Sequence, residues 1–261
     1  MSLYALVSPG GSAGATTTAL ALALTWPRPV ILAECDPAGG DILAGLFAGH
    51  LRAPRGLLGV AFEAGRGAVA LSVGAGGHLA PLDGSGSRMF LPGLGDPRQA
   101  PGLAPAWPAI ARTLASQPCD VIADCGRLDA GDGQPASVLA EAGLVAMVIR
   151  ASLRQIAAAK PRIEMLAQLR GGLERVGLLL VGEKGHRPAE ISRTLGVGMF
   201  ARIPPDPRTA AVLSDGVGRR SSLDDRPLLR AGRAASQVLA DAAAHGADVS
   251  SGLAGANGSL T

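Results

Sequence analysis

The feature that most narrows what this chain can fold into lies between Leu3 and Glu34. An apolar run, Leu3 to Ser8, is followed by Pro9-Gly10-Gly11-Ser12-Ala13-Gly14 and then by Ala15-Thr16-Thr17-Thr18-Ala19-Leu20-Ala21-Leu22-Ala23-Leu24. That order reads as strand, glycine-rich turn and helix, with Pro27 and Pro29 ending the helix. A second apolar run, Val30-Ile31-Leu32-Ala33-Glu34, closes a βαβ unit of the usual ~30 residues. Both strands are apolar along their whole length rather than alternating, which is the pattern of a parallel strand covered on both faces.

The rest of the chain continues the theme. Residues 42 to 105 are less regular, with a helix expected at Gly56 to Ala64 and a strand at Arg88 to Leu91. Trp107 to Ser116 reads as a helix. Beyond it strands are expected at Asp120 to Asp124, Leu144 to Arg150, Val176 to Val181 and Met199 to Ile203. Helices are expected at Pro135 to Ala142, Leu153 to Leu169, Ala189 to Leu195 and Pro227 to Ala244. The expected architecture is a single α/β domain over residues 1–245, doubly wound around a mostly parallel sheet of about seven strands with helices on both faces. Residues 246–261, rich in Gly, Ser and Ala, read as a disordered tail.

Composition closes off other classes. With 48% apolar and 17% charged residues in 261, the chain has material for a core and is not a disordered polymer. No run approaches the ~18 apolar residues of a membrane span, and the first residues lack the basic start of a secretory signal. Three cysteines (Cys35, Cys119 and Cys125) without metal-type spacing read as reduced thiols in a cytoplasm. Aromatics at 3% argue against a base-stacking platform. Lys160 and Lys184 are the two lysines among 24 basic residues, and the net charge is only +3.

Ligands of open parallel sheets bind beyond the carboxyl ends of the strands. Three such ends carry distinctive loops: Pro9 to Thr18, Glu34 to Asp41, and Asp124 to Asp129. A glycine-rich turn opening a helix is an anion site, because unpaired N–H groups and the positive helix end point at it. Thr16 is placed to ligate Mg²⁺ as a P-loop hydroxyl does, with Asp36 and Asp124 around the metal or orienting a water. Each has a plainer reading: Asp36 as a cap of the next segment, Asp124 as a strand-end turn residue, Cys35 and Cys125 as apolar packing. Glu34 stands where a dinucleotide fold places its ribose carboxylate. Yet the turn lacks G-x-G-x-x-G and its triple threonine suits phosphate plus metal, so a nicotinamide enzyme is the lesser reading.

Gly10-Gly11-Ser12-Ala13-Gly14-Ala15-Thr16-Thr17, Asp36-Pro37 and Asp120-Val121-Ile122-Ala123-Asp124 resemble, in order and spacing, the ParA/MinD group of deviant Walker A ATPases, whose loop is written K-G-G-x-G-K-T-[ST]. The resemblance runs from about residue 3 to about 235. It includes Arg202-Ile203-Pro204-Pro205-Asp206, similar to the late Pro/Asp loop that touches adenine in that group. More narrowly, Ala33 to Asp41 and Asp124 to Leu128 resemble an actinobacterial MinD-like branch whose members accompany Tad-type pilus or secretion ATPases. The resemblance implies ATP or ADP with Mg²⁺ as ligand. Gly11, Ser12, Ala13, Gly14, Ala15, Thr16 and Thr17 would lie on the phosphates, and Pro204, Pro205 and Asp206 at the base. Thr16, Asp36 and Asp124 would lie around the metal, with Asp36 orienting the attacking water.

The departures from that pattern matter as much. Gly10 stands where the signature lysine belongs and Ala15 where the phosphate-binding lysine belongs, so both ammonium groups are missing. Removing one preorganised donor costs ~10²–10³ in rate, so the expected protein is a nucleotide-binding positioning or scaffold factor with weak or no hydrolysis. Two alternatives stay open: a scaffold that binds no nucleotide, and an active ATPase in which an arginine replaces the lysines. Arg127 is the first candidate for that surrogate charge, with Arg150 and Arg154 next. Expected partners are a secretion or pilus ATPase or a partition protein, and a homodimer is possible in principle. Non-specific DNA binding through Arg219, Arg220, Arg226, Arg230 and Arg233 is disfavoured by the interleaved Asp215, Asp224 and Asp225. No basic amphipathic helix follows Ala244, so no membrane anchor is expected.

Overall fold

The strands form where apolar residues run without interruption, and the helices where alanine and leucine dominate. The computed structural model describes residues 1–11, 13–48, 54–67, 69–74, 76–129, 131, 133–182, 185–216, 223 and 225–245. In chain order these give β1 (Leu3–Ser8), α1 (Ala15–Thr25), β2 (Val30–Glu34), α2 (Gly56–Ala64), β3 (Ala80–Pro81) and β4 (Arg88–Leu91). Short helical turns between Pro97 and Ala106, among them α3 (Ala100–Leu103), lead into α4 (Trp107–Ala115) and β5 (Asp120–Arg127). Then come α5 (Ala136–Glu141), β6 (Leu144–Arg150), α6 (Leu153–Arg170), β7 (Val176–Val181), α7 (Pro188–Leu195), β8 (Gly198–Ile203), α8 (Pro207–Asp215) and α9 (Pro227–His245).

Among the described residues the sheet has eight strands in the order β3-β4-β2-β5-β1-β6-β7-β8, with every pair parallel except β3–β4. The expected doubly wound α/β domain is therefore present, with one strand more than the sequence suggests. The extra strand, β3, is two residues long, too short to leave any periodicity. Strand β1 sits between β5 and β6, so the chain builds outward first on one side and later on the other. That reversal point is where this fold class opens a crevice for ligands, and the loop after β1 lies on it.

Two apolar cores cover the two faces. Leu3, Ala5, Val7, Val121, Ala123 and Met147 belong to one core, with residues of α2, α4, α5, α6 and α7. Tyr4, Leu6, Leu32, Ile122 and Ala146 alternate into the other, under α1, α8 and α9. Helix α1 packs closely on α9: a Cβ on Gly232 would meet the Ala21 carbonyl oxygen at 3.0 Å, and Ser236 donates to the Leu22 carbonyl at 3.2 Å. At the amino end of β5, Asp120 accepts from the Ser2 N–H at 2.9 Å, Trp26 Nε1 at 2.9 Å and Arg28 Nε at 2.8 Å. Among the described residues, no helix is long and apolar enough to cross a membrane.

One boundary and one unexpected helix differ from expectation in ways that bear on the site. Strand β5 does not stop at Asp124 but runs to Arg127, because Gly126 takes a φ of +62° and a register shift lets Arg127 pair with Ser8. Helix α8 follows directly on the Pro/Asp loop, capped by Asp206. Ser12, Lys184, Arg219, Arg220, Asp224 and the whole expected tail, 246–261, lie outside the described residues.

Candidate functional site

The loop after β1 delivers a helix start with its polar groups unclaimed. Gly14 precedes α1 in the left-handed conformation (φ +91°), with no side-chain cap and no acidic residue in the first turn of the helix. The first backbone N–H groups of α1 therefore have no intrahelical acceptor, and the positive end of the helix dipole is left uncompensated. A Cβ placed on Gly11 or Gly14 would meet nothing within 4 Å, so the loop faces open space on that side. Ala13 and Ala15 are buried, while Thr16 and Thr17 are partly exposed.

Beneath this loop the ends of β2 and β5 bring acids together. Asp124 is 2% exposed, accepts a hydrogen bond from the Thr16 hydroxyl and takes the Gly126 N–H at 3.1 Å. Burial holds its carboxyl above the usual range despite those two bonds. Asp36 accepts from the Ala38 N–H at 2.8 Å and packs on Gly126, where a Cβ would lie 1.8 Å from Asp36 Oδ2. Only glycine at 126 leaves room for that carboxylate. Burial, and more weakly the charges of Asp124 and Asp41, push the Asp36 pKa up to about 6. The capping and turn roles are thus real, and they coexist with a close grouping of Thr16, Asp36 and Asp124. These are hard oxygen donors, the type Mg²⁺ takes. Among the described residues, no group of three or more His, Cys, Asp or Glu is arranged as a metal site.

Glu34 does not face a ribose. It is 3% exposed, and its two oxygens accept from the Ile42 N–H at 2.9 Å and the Gly93 N–H at 3.0 Å, clamping two loops together. Burial outweighs those bonds and raises its pKa to about 7. Its spacing from Gly14 pointed to a dinucleotide, but its side chain is committed to the inside of the loops, which removes the one residue that carried the nicotinamide reading. Cys35 and Cys125 are fully packed, and burial drives both thiols well above the usual range, so neither is a nucleophile.

A cavity of about 760 Å³ opens beside α1. Gly14, Thr17, Pro204, Pro205 and Asp206 line it, with Arg150 and Arg154 opposite. The late Pro/Asp loop and the glycine-rich loop, far apart in sequence, therefore share one space. The Asp206 carboxylate is committed to capping: it accepts from the Thr209 N–H at 3.1 Å, the Thr209 hydroxyl at 2.6 Å and the Leu228 N–H at 3.4 Å. Thr16 and Thr17 also border a second space, of about 580 Å³, with Asp41 and Asp215. Arg127, exposed at the end of β5, lies with Nε 3.0 Å from Asp129, which Arg162 also holds at 2.9 Å. Of the basic cluster, Arg226, Arg230 and Arg233 are exposed near Asp225.

Sequence reasoning missed Gln155. It stands three residues after the α6 cap Ser152, whose side chain accepts from the Gln155 N–H. A Ser-x-x-Gln spacing was the available signal, since it marks a helix start.

No protein-family model matches the chain, and no curated protein matches it in sequence. Solved structures do. The ParA family ATPase of Chlorobium tepidum TLS superposes with a TM-score of 0.68 at 18% identity, over 94% of this chain and 98% of that one. The cell division ATPase MinD of Pyrococcus furiosus gives 0.69 at 16% identity, over 92% and 98%. The septum site-determining protein MinD of Pyrococcus horikoshii OT3, solved with Mg-ADP, gives 0.66 at 16% identity, over 95% and 99%. This chain has the fold of the MinD/ParA P-loop ATPases across nearly its whole described length.

Proposed function

We propose that the protein is a MinD/ParA-like nucleotide-binding factor whose loop, lacking both lysines, holds ATP or ADP with Mg²⁺ but hydrolyses it weakly or not at all. The observation that carries this reading is the uncapped start of α1, open to a cavity shared with the Pro204-Pro205-Asp206 loop. Phosphates would rest on the N–H groups from Gly11 to Thr17, with the base near Pro204 and Pro205. Thr16 would ligate Mg²⁺, with Asp36 and Asp124 in direct contact or through water. Mg²⁺ usually takes one or two carboxylates and completes its shell with phosphate and water, so a site of two acids and one hydroxyl fits it. The metal would supply charge neutralisation on the phosphates. This chain would supply positioning and a buried shell, with Asp36 orienting a water.

Phosphoryl transfer depends on positive charge at the γ-phosphate. Gly10 and Ala15 provide none, which supports a switch or scaffold over an efficient enzyme. Such a factor would act by positioning, through contact with a protein partner: a partition protein, or a pilus or secretion ATPase. A dimer would have to form without the signature lysine.

Calorimetric titration with ATP and ADP, with and without Mg²⁺, tests the reading. Saturable, Mg²⁺-dependent binding with turnover near background is expected. An absence of binding at millimolar nucleotide overturns it in favour of a scaffold that uses protein contacts alone. Ordinary turnover that is lost in Arg127→Ala overturns it in favour of an active ATPase with a surrogate arginine.

A further inference from the structure

The start of α6 lies against the same loop as the start of α1. Ser152 caps α6, and a capping glutamine three residues on normally returns its side chain to the cap's own N–H. Here the Ser152 N–H donates instead to the Arg150 carbonyl at 2.8 Å. Gln155, 5% exposed, has a side-chain oxygen with no hydrogen-bond partner among the described residues. The same amide sits under the glycine-rich loop, with Nε2 3.7 Å from the place a Cβ on Gly10 would take. Leaving a buried amide oxygen unpaired is costly. An unpaired acceptor calls for a donor, such as a water that bridges it to a ligand, while Nε2, the donor end of the amide, is the end beside the loop.

Two cations stand on the same helix start. Arg150 ends β6 and Arg154 lies in the first turn of α6; both are exposed and both line the 760 Å³ cavity. Among the described residues neither side chain has an ion-pair partner, in contrast to Arg28, Arg88, Arg127 and Arg162. The one carboxylate that lines the cavity among the described residues, Asp206, is bound up in three hydrogen bonds as the α8 cap. The cavity is therefore walled by two helix starts and two uncompensated guanidiniums.

We infer that the start of α6 is a second phosphate-binding element, in which Arg150 and Arg154 supply the positive charge absent from the loop and Gln155 Nε2 donates to the ligand beside Gly10. The ligand class is a nucleoside polyphosphate held between α1 and α6, and the inference rests on the nucleotide reading above. Guanidinium groups suit this task, because their planar fork meets phosphate oxygens in pairs.

The test is calorimetric titration of the full chain with Mg-ATP and, separately, with adenosine. The double variant Arg150→Ala/Arg154→Ala should weaken Mg-ATP at least tenfold and leave adenosine within twofold of wild type. Gln155→Glu, which sets a carboxylate against the loop, should weaken Mg-ATP by a similar factor. Arg193→Ala, on the exposed face of α7, should change neither. Arg154→Lys, which keeps the charge and loses the fork, should fall between wild type and the double variant, and it serves if the alanine variants fold poorly. If wild type binds Mg-ATP more tightly than adenosine and the double variant stays within twofold of it, the second element is overturned and the nucleotide reading stands. If wild type binds Mg-ATP no more tightly than adenosine, the second element is likewise overturned. If wild type binds neither, both fall.

Discussion

Strand β5 carries two buried aspartates four positions apart, and they are treated in opposite ways. Asp120, 1% exposed at the amino end, is met by two N–H groups and by the Arg28 guanidinium, 2.6 Å away. Asp124, 2% exposed at the carboxyl end, is met by the Thr16 hydroxyl and one N–H, and the charges that bear on it are other acids. Asp36 and Glu34 beside it share that condition. Burial is the same in both places, so burial does not separate them. What separates them is a cation. At one end of the sheet the charge is neutralised within the fold, as structural carboxylates are. At the other no cation among the described residues meets the acids, burial holds their protons on to higher pH, and a bound Mg²⁺ would favour their charged forms.

Variants at the two ends of the strand test that contrast. The largest effect belongs to the structural end. Asp120→Ala strands the buried Trp26 N–H and the Ser2 N–H, and should cost about 3 kcal/mol in urea denaturation. That is the low end of the range for a broken buried pair, because Arg28 can turn to water.

Next comes pH. Glu34 holds its proton up to about pH 7 in the folded state against an ordinary 4.5, and Asp36 up to about 6 against 3.8. Between the unfolded and folded values the native state binds more protons, so stability falls as pH rises through this window and levels off above it. The Glu34 shift corresponds to on the order of 3 kcal/mol at most. Denaturation midpoints measured from pH 5 to 8 should decline, and Glu34→Gln should flatten the decline. A midpoint that rises across that interval in wild type would contradict the account.

Gly126→Ala forces a side chain into the left-handed region and into Asp36. A loss of about 2 kcal/mol is expected, together with loss of Mg²⁺-dependent nucleotide binding. Asp124→Asn removes a buried titratable group but keeps an acceptor, so stability near neutral pH should change by no more than ~1 kcal/mol. The smallest effect is that of Arg127→Ala. Its pair with Asp129 is exposed and Arg162 still holds Asp129, so the thermal midpoint should move by no more than ~0.5 kcal/mol equivalent.

The strands were legible because parallel strands buried on both faces are written as continuous apolar runs, as at Val30–Glu34 and Val176–Val181. Helix α8 was not. Pro207–Asp215 is short, its apolar residues form one run, Ala210 to Leu213, rather than a helical stripe, and it follows a Pro-Pro-Asp segment that reads as loop, although Asp206 before Pro207 was an available cap signal. Of the candidate site, the meeting of Thr16, Asp36 and Asp124 was legible from the strand-end loops that carry them. The clamp made by Glu34 was not, because its partners, Ile42 and Gly93, are backbone groups that no residue type announces. Nor was the shared cavity, since Gly14 and Pro204 meet only through the order of β1, β6, β7 and β8.

On the proposed reading Asp124 would serve a bound cation, whereas Asp120 serves the fold. Titrating ATP with and without Mg²⁺ into Asp124→Asn and Asp120→Asn side by side tests it most directly. The account predicts that Asp120→Asn, though less stable, binds ATP with the Mg²⁺ dependence of wild type, while Asp124→Asn, about as stable as wild type, loses that dependence. Unchanged Mg²⁺-dependent binding in Asp124→Asn would contradict it.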